Sequence, residues 1–172
     1  QLDEPVSIHA VERFLGDQAI KEGWTLPRPA AESGKRVLVV GAGPSGLSAA
    51  YHLRRLGHSV EIHEAGPLTG GMMRFGIPKY RLPRDVLDAE VARIEAMGVV
   101  IRLNRKVDDI QVAMKEGGFD AAFLAVELPV GDAAAVGRID RLLELDHVIV
   151  SHGRGSGGGH DRDGGAAGCA EA

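Results

Sequence analysis

Apolar positions follow two rhythms along this chain. Short β-branched runs recur at Arg36–Val40, Ser59–His63, Val99–Leu103 and Phe119–Val126, each read as a strand. The Arg36–Val40 run has no polar alternation, as a strand covered on both faces requires. Between these runs the spacing turns helical. Pro44–Leu56 places Leu47, Ala50, Leu53 and Leu56 on one stripe, and Gly57 ends it. A second helix begins with Pro83 at its first position, carries Leu87, Val91, Ile94 and Met97, and closes at Gly98. Val107–Glu116 is expected to be a short helix, and residues 65–83, rich in Gly and Pro, a long loop. Near the start, Ser7 is placed to cap a helix whose apolar face is Ile8, Val11, Leu15 and Ala19, with Gly23 as its stop. Thr25–Lys35 reads as an extended linker.

Strands alternating with helices imply an α/β fold, a Rossmann-like parallel sheet with right-handed crossovers, preceded by an N-terminal helical segment. Three regions follow: 1–35, an N-terminal helix and linker; 36–126, the Rossmann-like domain; and 127–172, an atypical tail. In the last region, Val136–Leu145 has helical spacing and His147–Val150 resembles a strand. From Ser151 onward, eight of 22 residues are Gly and no large apolar side chain appears, so disorder is expected there.

Composition narrows the function classes. A hydrophobic fraction of 44% among 172 residues suits one globular domain. A net charge of −4 and few aromatics argue against a nucleic-acid surface. No apolar run is long enough to span a bilayer. The single cysteine, Cys169, excludes an internal disulfide and an iron–sulfur cluster held by this chain alone; a cytoplasmic setting is expected.

The chemistry concentrates at Val37-Leu-Val-Val-Gly41-Ala-Gly43-Pro-Ser-Gly46-Leu. A G-x-G-x-x-G string is weak alone. Here it follows a strand, opens a helix and precedes an acidic residue, Glu64, at the end of the next strand. Gly41 permits the tight turn, Gly43 lets backbone approach a pyrophosphate, and Gly46 lets the helix lie close to the sheet. Pro44 costs little at a first helical turn, and the helix N-terminus offers N–H groups and a positive dipole end to phosphates. A carboxylate at Glu64 is placed to accept from both ribose hydroxyls of an adenosine and to repel a 2′-phosphate. A Walker-type loop needs a Lys–Ser/Thr pair after its last glycine; Leu47-Ser48 stands there instead. These features leave FAD and NAD both open.

The stretch Gly41-Ala-Gly-Pro-Ser-Gly-Leu-Ser-Ala-Ala-Tyr-His-Leu resembles the FAD turn of two-dinucleotide-domain flavoproteins. Gly70-Gly-Met-Met-Arg-Phe-Gly-Ile-Pro-Lys-Tyr-Arg-Leu-Pro83, with Glu4-Pro-Val-Ser-Ile-His-Ala-Val-Glu-Arg-Phe-Leu upstream, resembles the small (beta) subunit of NADPH-dependent glutamate synthase and its relatives in dihydropyrimidine dehydrogenase. The likeness covers about residues 3–126. It implies an FAD lined by Ala42, Gly43, Glu64, Gly71, Met72, Arg81 and Val107, beside Gly41, Pro44, Ser45 and Gly46 of the turn. It further implies that NADPH or NADH binds only in the complete enzyme, and that electrons pass through FAD to an iron–sulfur domain or subunit. No catalytic acid, base, nucleophile or metal site is expected in this chain, nor a nucleic-acid or membrane partner; an oligomer remains open.

Three departures stand against the resemblance. The family's cluster cysteines have no counterpart here, Glu127-Leu128 replaces an expected Gly–Ala pair after the fourth strand, and the second dinucleotide domain has no match. A truncated or frame-altered gene product is the expectation they raise. Gly153-Arg-Gly155-Ser-Gly-Gly158 repeats the glycine spacing, but no amphipathic helix follows. His152, His160, Asp161 and Asp163 are read as a solvated polar segment rather than metal ligands. Two other readings remain: an NAD-binding dehydrogenase module, and a cofactor-free interaction domain.

Overall fold

The computed structural model describes residues 6–126 and 148–150. Ten elements follow in chain order: α1 (Ile8–Lys21), β1 (Arg36–Val40), α2 (Pro44–Arg55), β2 (Ser59–His63), α3 (Met72–Phe75), α4 (Arg84–Glu95), β3 (Val100–Arg102), α5 (Ile110–Gly117), β4 (Ala121–Leu124) and β5 (Val148–Val150). The strands form one sheet in the order β3-β2-β1-β4-β5. Every pairing is parallel, from Val37 opposite Val60 and Ala121 at the centre to Phe123 opposite Ile149 at one edge. The α/β Rossmann-like reading of the sequence is thus correct.

The sheet is covered on both faces because β1 is apolar at successive positions. Val39, Val60 and Ile62 pack with Ala42 of the turn after β1, with Leu47 and Ala50 of α2 and with Leu87 and Val91 of α4. Leu38, Val40, Ala122 and Leu124 face the other way, against Ile110 and Phe119. Leu38, Val39 and Ile62 are fully buried. Each such side chain contributes about 1.5–3 kcal/mol through burial.

The order of the strands fixes where a ligand goes. From β1 the chain winds outward through β2 and β3, then returns to the other side of β1 as β4. The connections leaving β1 and β4 therefore diverge at their carboxyl ends. That divergence is the crevice in which open α/β sheets hold ligands.

Several boundaries differ from the pattern. α4 starts one residue late, with Pro83 as its N-cap. α5 begins at Ile110 rather than Val107, because the Asp109 side chain accepts the N–H groups of Gln111 and Val112 and Gly118 closes the helix in the left-handed region. Leu56 ends α2 exposed. Ser7 occupies the N-cap of α1 without a side-chain cap bond. Of the apolar face predicted for that helix only Ala19 is buried; Ile8, Val11 and Leu15 stay 68%, 48% and 49% exposed. The stretch read as a linker is docked on α2: Ala30 and Ser33 donate to the carbonyls of Arg55 and Gly57, and Glu32 pairs with Arg54. The helix expected at Val136–Leu145 and the glycine-rich segment lie outside the described residues.

Candidate functional site

The glycine turn is built by sterics before any ligand is considered. Gly41 has φ +103°, a conformation L side chains rarely adopt, and a Cβ there would meet the Ala125 carbonyl oxygen at 2.5 Å. A Cβ on Gly46 would overlap the Gly41 carbonyl and press on Val39. These two glycines are needed for the turn to close. Gly43 is different. Its backbone is extended, and a Cβ there would meet nothing nearer than Gly71 Cα at 4.0 Å. The fold does not demand glycine at 43; space in front of the helix does.

Glu64 is bound into this turn. Its Oε2 accepts the Ala42 N–H at 2.7 Å and its Oε1 the Gly66 N–H at 2.8 Å. The Ala42 carbonyl in turn accepts the Gly70 N–H at 2.7 Å. A continuous chain of bonds therefore runs from the end of β2, through the turn after β1, to the Gly70-Gly71 loop. The Arg105 N–H donates to the Glu64 carbonyl at 2.8 Å, which sets the segment after β3 alongside.

The loop beyond Gly70 is held by two arginines. Arg84 donates to the carbonyls of Met73, Ile77 and Leu82. Arg74 donates to the Thr69 carbonyl and pairs with Asp88. The loop is ordered enough to form the short helix α3, which sits with Gly71 as its N-cap at φ +48°.

A cleft of about 580 Å³ opens over the carboxyl ends of β1 and β4. Of the predicted site residues, Gly41, Gly43, Pro44, Ser45, Glu64, Gly71, Met72 and Val107 line it. Ala42 is fully buried beneath it, tied to Glu64 and Gly70. Gly46 packs against the turn, and Arg81 is exposed on the loop; neither lines the cleft. The lining also includes His63, Phe75, Arg105, Lys106, Ala125 and Val126, which pattern reading missed. Arg105 and Lys106 were findable: they follow β3, beside β2, at the ligand-bearing edge of the sheet.

A second cleft of about 390 Å³ adjoins the first and shares His63, Arg105, Lys106 and Val107 with it. His63 is 5% exposed. Its Nε2 lies 2.9 Å from Glu61 Oε1, and its ring meets Phe119 edge-on. Burial pushes the Glu61 carboxyl up, but its hydrogen bond with His63 and the nearby Arg102 guanidinium outweigh that and hold the group below its ordinary value. Nδ1 of His63 is buried without a partner, an arrangement that costs about 1–3 kcal/mol.

The family whose pattern matches this chain is the NAD(P)-binding Rossmann-like domain, over residues 39–91, from the middle of β1 into α4. The fold is Rossmann-like, and the match to that family covers this part of it. The chain's homologues are subunits of NAD(P)-dependent oxidoreductases. The beta subunit of the NADP(+)-dependent formate dehydrogenase of Moorella thermoacetica is 42% identical, across 74% of this chain and 21% of its own length. The PreT subunit of the NAD-dependent dihydropyrimidine dehydrogenase of Salmonella typhimurium is 37% identical across 76% of this chain and 32% of its own. The small chain of the NADPH glutamate synthase of Mycobacterium tuberculosis is 38% identical across 71% and 25%. The chain thus spans about a fifth to a third of the length of these relatives. The glutamate synthase and dihydropyrimidine dehydrogenase resemblance read from the Rossmann-like portion is correct. Among the described residues, no helix is long and apolar enough to cross a membrane, and no group of His, Cys, Asp and Glu is placed to hold a metal ion.

Proposed function

We propose that the cleft holds the adenosine and pyrophosphate of FAD, and that this Rossmann-like unit serves in a larger NAD(P)H-dependent oxidoreductase of the glutamate synthase small-subunit type. The observation that carries the reading is the convergence of three parts on one cleft at the strand-order switch. Those parts are the side-chain-free approach at Gly43, the N-terminus of α2, and the Glu64 carboxylate.

The donor set fits this cofactor. Backbone of the 41–46 turn and the α2 dipole favour a pyrophosphate lying across Gly43. Glu64 spends one lone pair of each oxygen on Ala42 and Gly66, and each oxygen keeps another for a ribose hydroxyl. Gly71 and Met72 form the opposite wall, where the dinucleotide leaves toward its flavin end. Val107 bounds the base end. When bound, FAD supplies hydride acceptance and single-electron release. The residues of this chain position and desolvate it; none is assigned as acid, base or nucleophile. In the complete assembly, electrons would arrive from NAD(P)H and leave to an iron–sulfur partner.

A second reading, NAD(H) in the same cleft, is favoured by the family that residues 39–91 match. Spectroscopy of the purified chain separates the two. A retained visible flavin band supports FAD. Retention of a nicotinamide dinucleotide alone would replace it with the second reading.

A further inference from the structure

Two buried side-chain nitrogens among the described residues have no hydrogen-bond partner, His63 Nδ1 and Arg93 Nε. Arg93 lines neither cleft. His63 lines both, in the wall they share beside Val107. It closes a strand whose other buried side chains, Val60 and Ile62, are apolar. A phenylalanine or leucine would fill that place with no polar atom to satisfy.

The ring's hydrogen-bonding sense follows from its neighbours. Glu61 lies against Nε2, and a carboxylate only accepts, so the proton of a neutral ring sits on Nε2. Nδ1 is then an acceptor that lacks a donor. Phe119, packed edge-on, holds the ring in this pose. Three of the nearby cations are engaged elsewhere: Arg102 and Arg36 are turned to Glu61, and Lys106 to Asp108.

We propose that His63 is a specificity-determining residue of the nucleotide site, its Nδ1 accepting from the exocyclic amino group of an adenine docked against the His63–Val107 wall. The inference rests on the dinucleotide reading above. It adds what that reading lacks, a side chain that chooses the base. Hypoxanthine carries a carbonyl oxygen where adenine carries the amino group. It would set acceptor against acceptor in a buried place, which a site discriminates strongly.

The test is calorimetric titration of the full chain with ADP and with IDP. The wild type is expected to bind ADP at least about tenfold more tightly, the worth of one buried hydrogen bond. His63→Phe should weaken ADP and relieve the clash with IDP, so that the two bind with equal affinity. A measurement that needs no variant is the ¹⁵N resonance of His63 Nδ1, expected to move when ADP is added and to stay put with IDP. Equal ADP and IDP affinities in the wild type would overturn the role of His63 and leave the dinucleotide reading standing. So would an unmoved Nδ1 resonance at saturating ADP, or a folded His63→Phe chain that keeps its preference. A folded wild type that binds neither ADP nor FAD would overturn both.

Discussion

The Glu64 carboxylate accepts the backbone N–H of Ala42 at 2.7 Å, across the gap between the ends of β2 and β1. The residue expected to hold a ribose also holds the glycine turn in place. Site and scaffold are coupled through one side chain, so its replacement should register in both. Glu64→Gln removes the charge and turns an amide N–H₂ toward one of two backbone donors. We expect a loss of roughly 1–3 kcal/mol in stability, as for a charge-assisted bond, together with at least tenfold weaker FAD binding. Thermal melts followed by circular dichroism, with and without FAD, check both. A variant that weakens FAD without lowering the melting temperature would show that the bond to Ala42 contributes nothing to the fold.

Gly43 and Gly46 should separate function from folding. A methyl at 46 collides with the Gly41 carbonyl, whereas one at 43 finds only Gly71 Cα at 4.0 Å. Gly46→Ala is expected to destabilise the chain by about 1–3 kcal/mol or more. Gly43→Ala should change stability by less than about 0.5 kcal/mol yet cut nucleotide affinity by tenfold or more. Paired denaturant melts and titrations read the two effects. A stable Gly43→Ala chain with wild-type affinity would remove the pyrophosphate from that position.

Arg84 satisfies three carbonyls of the loop between Gly70 and Pro83. Its truncation to Ala should loosen that loop before the sheet feels it, because three of the loop's carbonyls lose their donor while the core packing of Met73 stays in place. Limited trypsin digestion at Lys79 and Arg81, both exposed, should quicken severalfold in Arg84→Ala while the global melt falls by at most about 1–3 kcal/mol. An unchanged cleavage rate would mean that the loop is held by other contacts.

The Asp120 carboxylate accepts the Arg36 N–H and pairs with Lys35, and these bonds hold it below the ordinary aspartate value of 3.8. Because the folded value is the lower one, the contribution is present above the unfolded value and is lost as pH falls through the folded one. Asp120→Asn should therefore cost stability at neutral pH and flatten the decline below about pH 4. Melting temperatures from pH 7 to pH 2 check this. Parallel curves for wild type and variant would contradict it.

The sheet and its glycine turn were legible in the sequence because both are dictated locally. A five-residue β-branched run without alternation, stopped by glycine, reads as a doubly covered strand, and Gly41 and Gly46 occupy positions where any Cβ meets backbone. What periodicity does not carry is the partner. The stripe of α1 is real as a pattern, but Ile8, Val11 and Leu15 remain exposed, since amphipathicity records a face and not what covers it. The four residues of α3 are too few to show a period, and the bonds of Arg84 join residues the sequence presents as an unpatterned loop. His63 escaped notice for a related reason: in a strand-end position only the fold reveals that a polar ring is buried and half satisfied.

The most direct test of the central reading is equilibrium dialysis of the purified chain against FAD, with the absorption spectrum of the retained fraction recorded. We predict one FAD retained per chain, with its visible band perturbed, and displacement by ADP because the adenosine half carries the recognition. Complete loss of flavin from a chain that circular dichroism shows to be folded would contradict the FAD assignment.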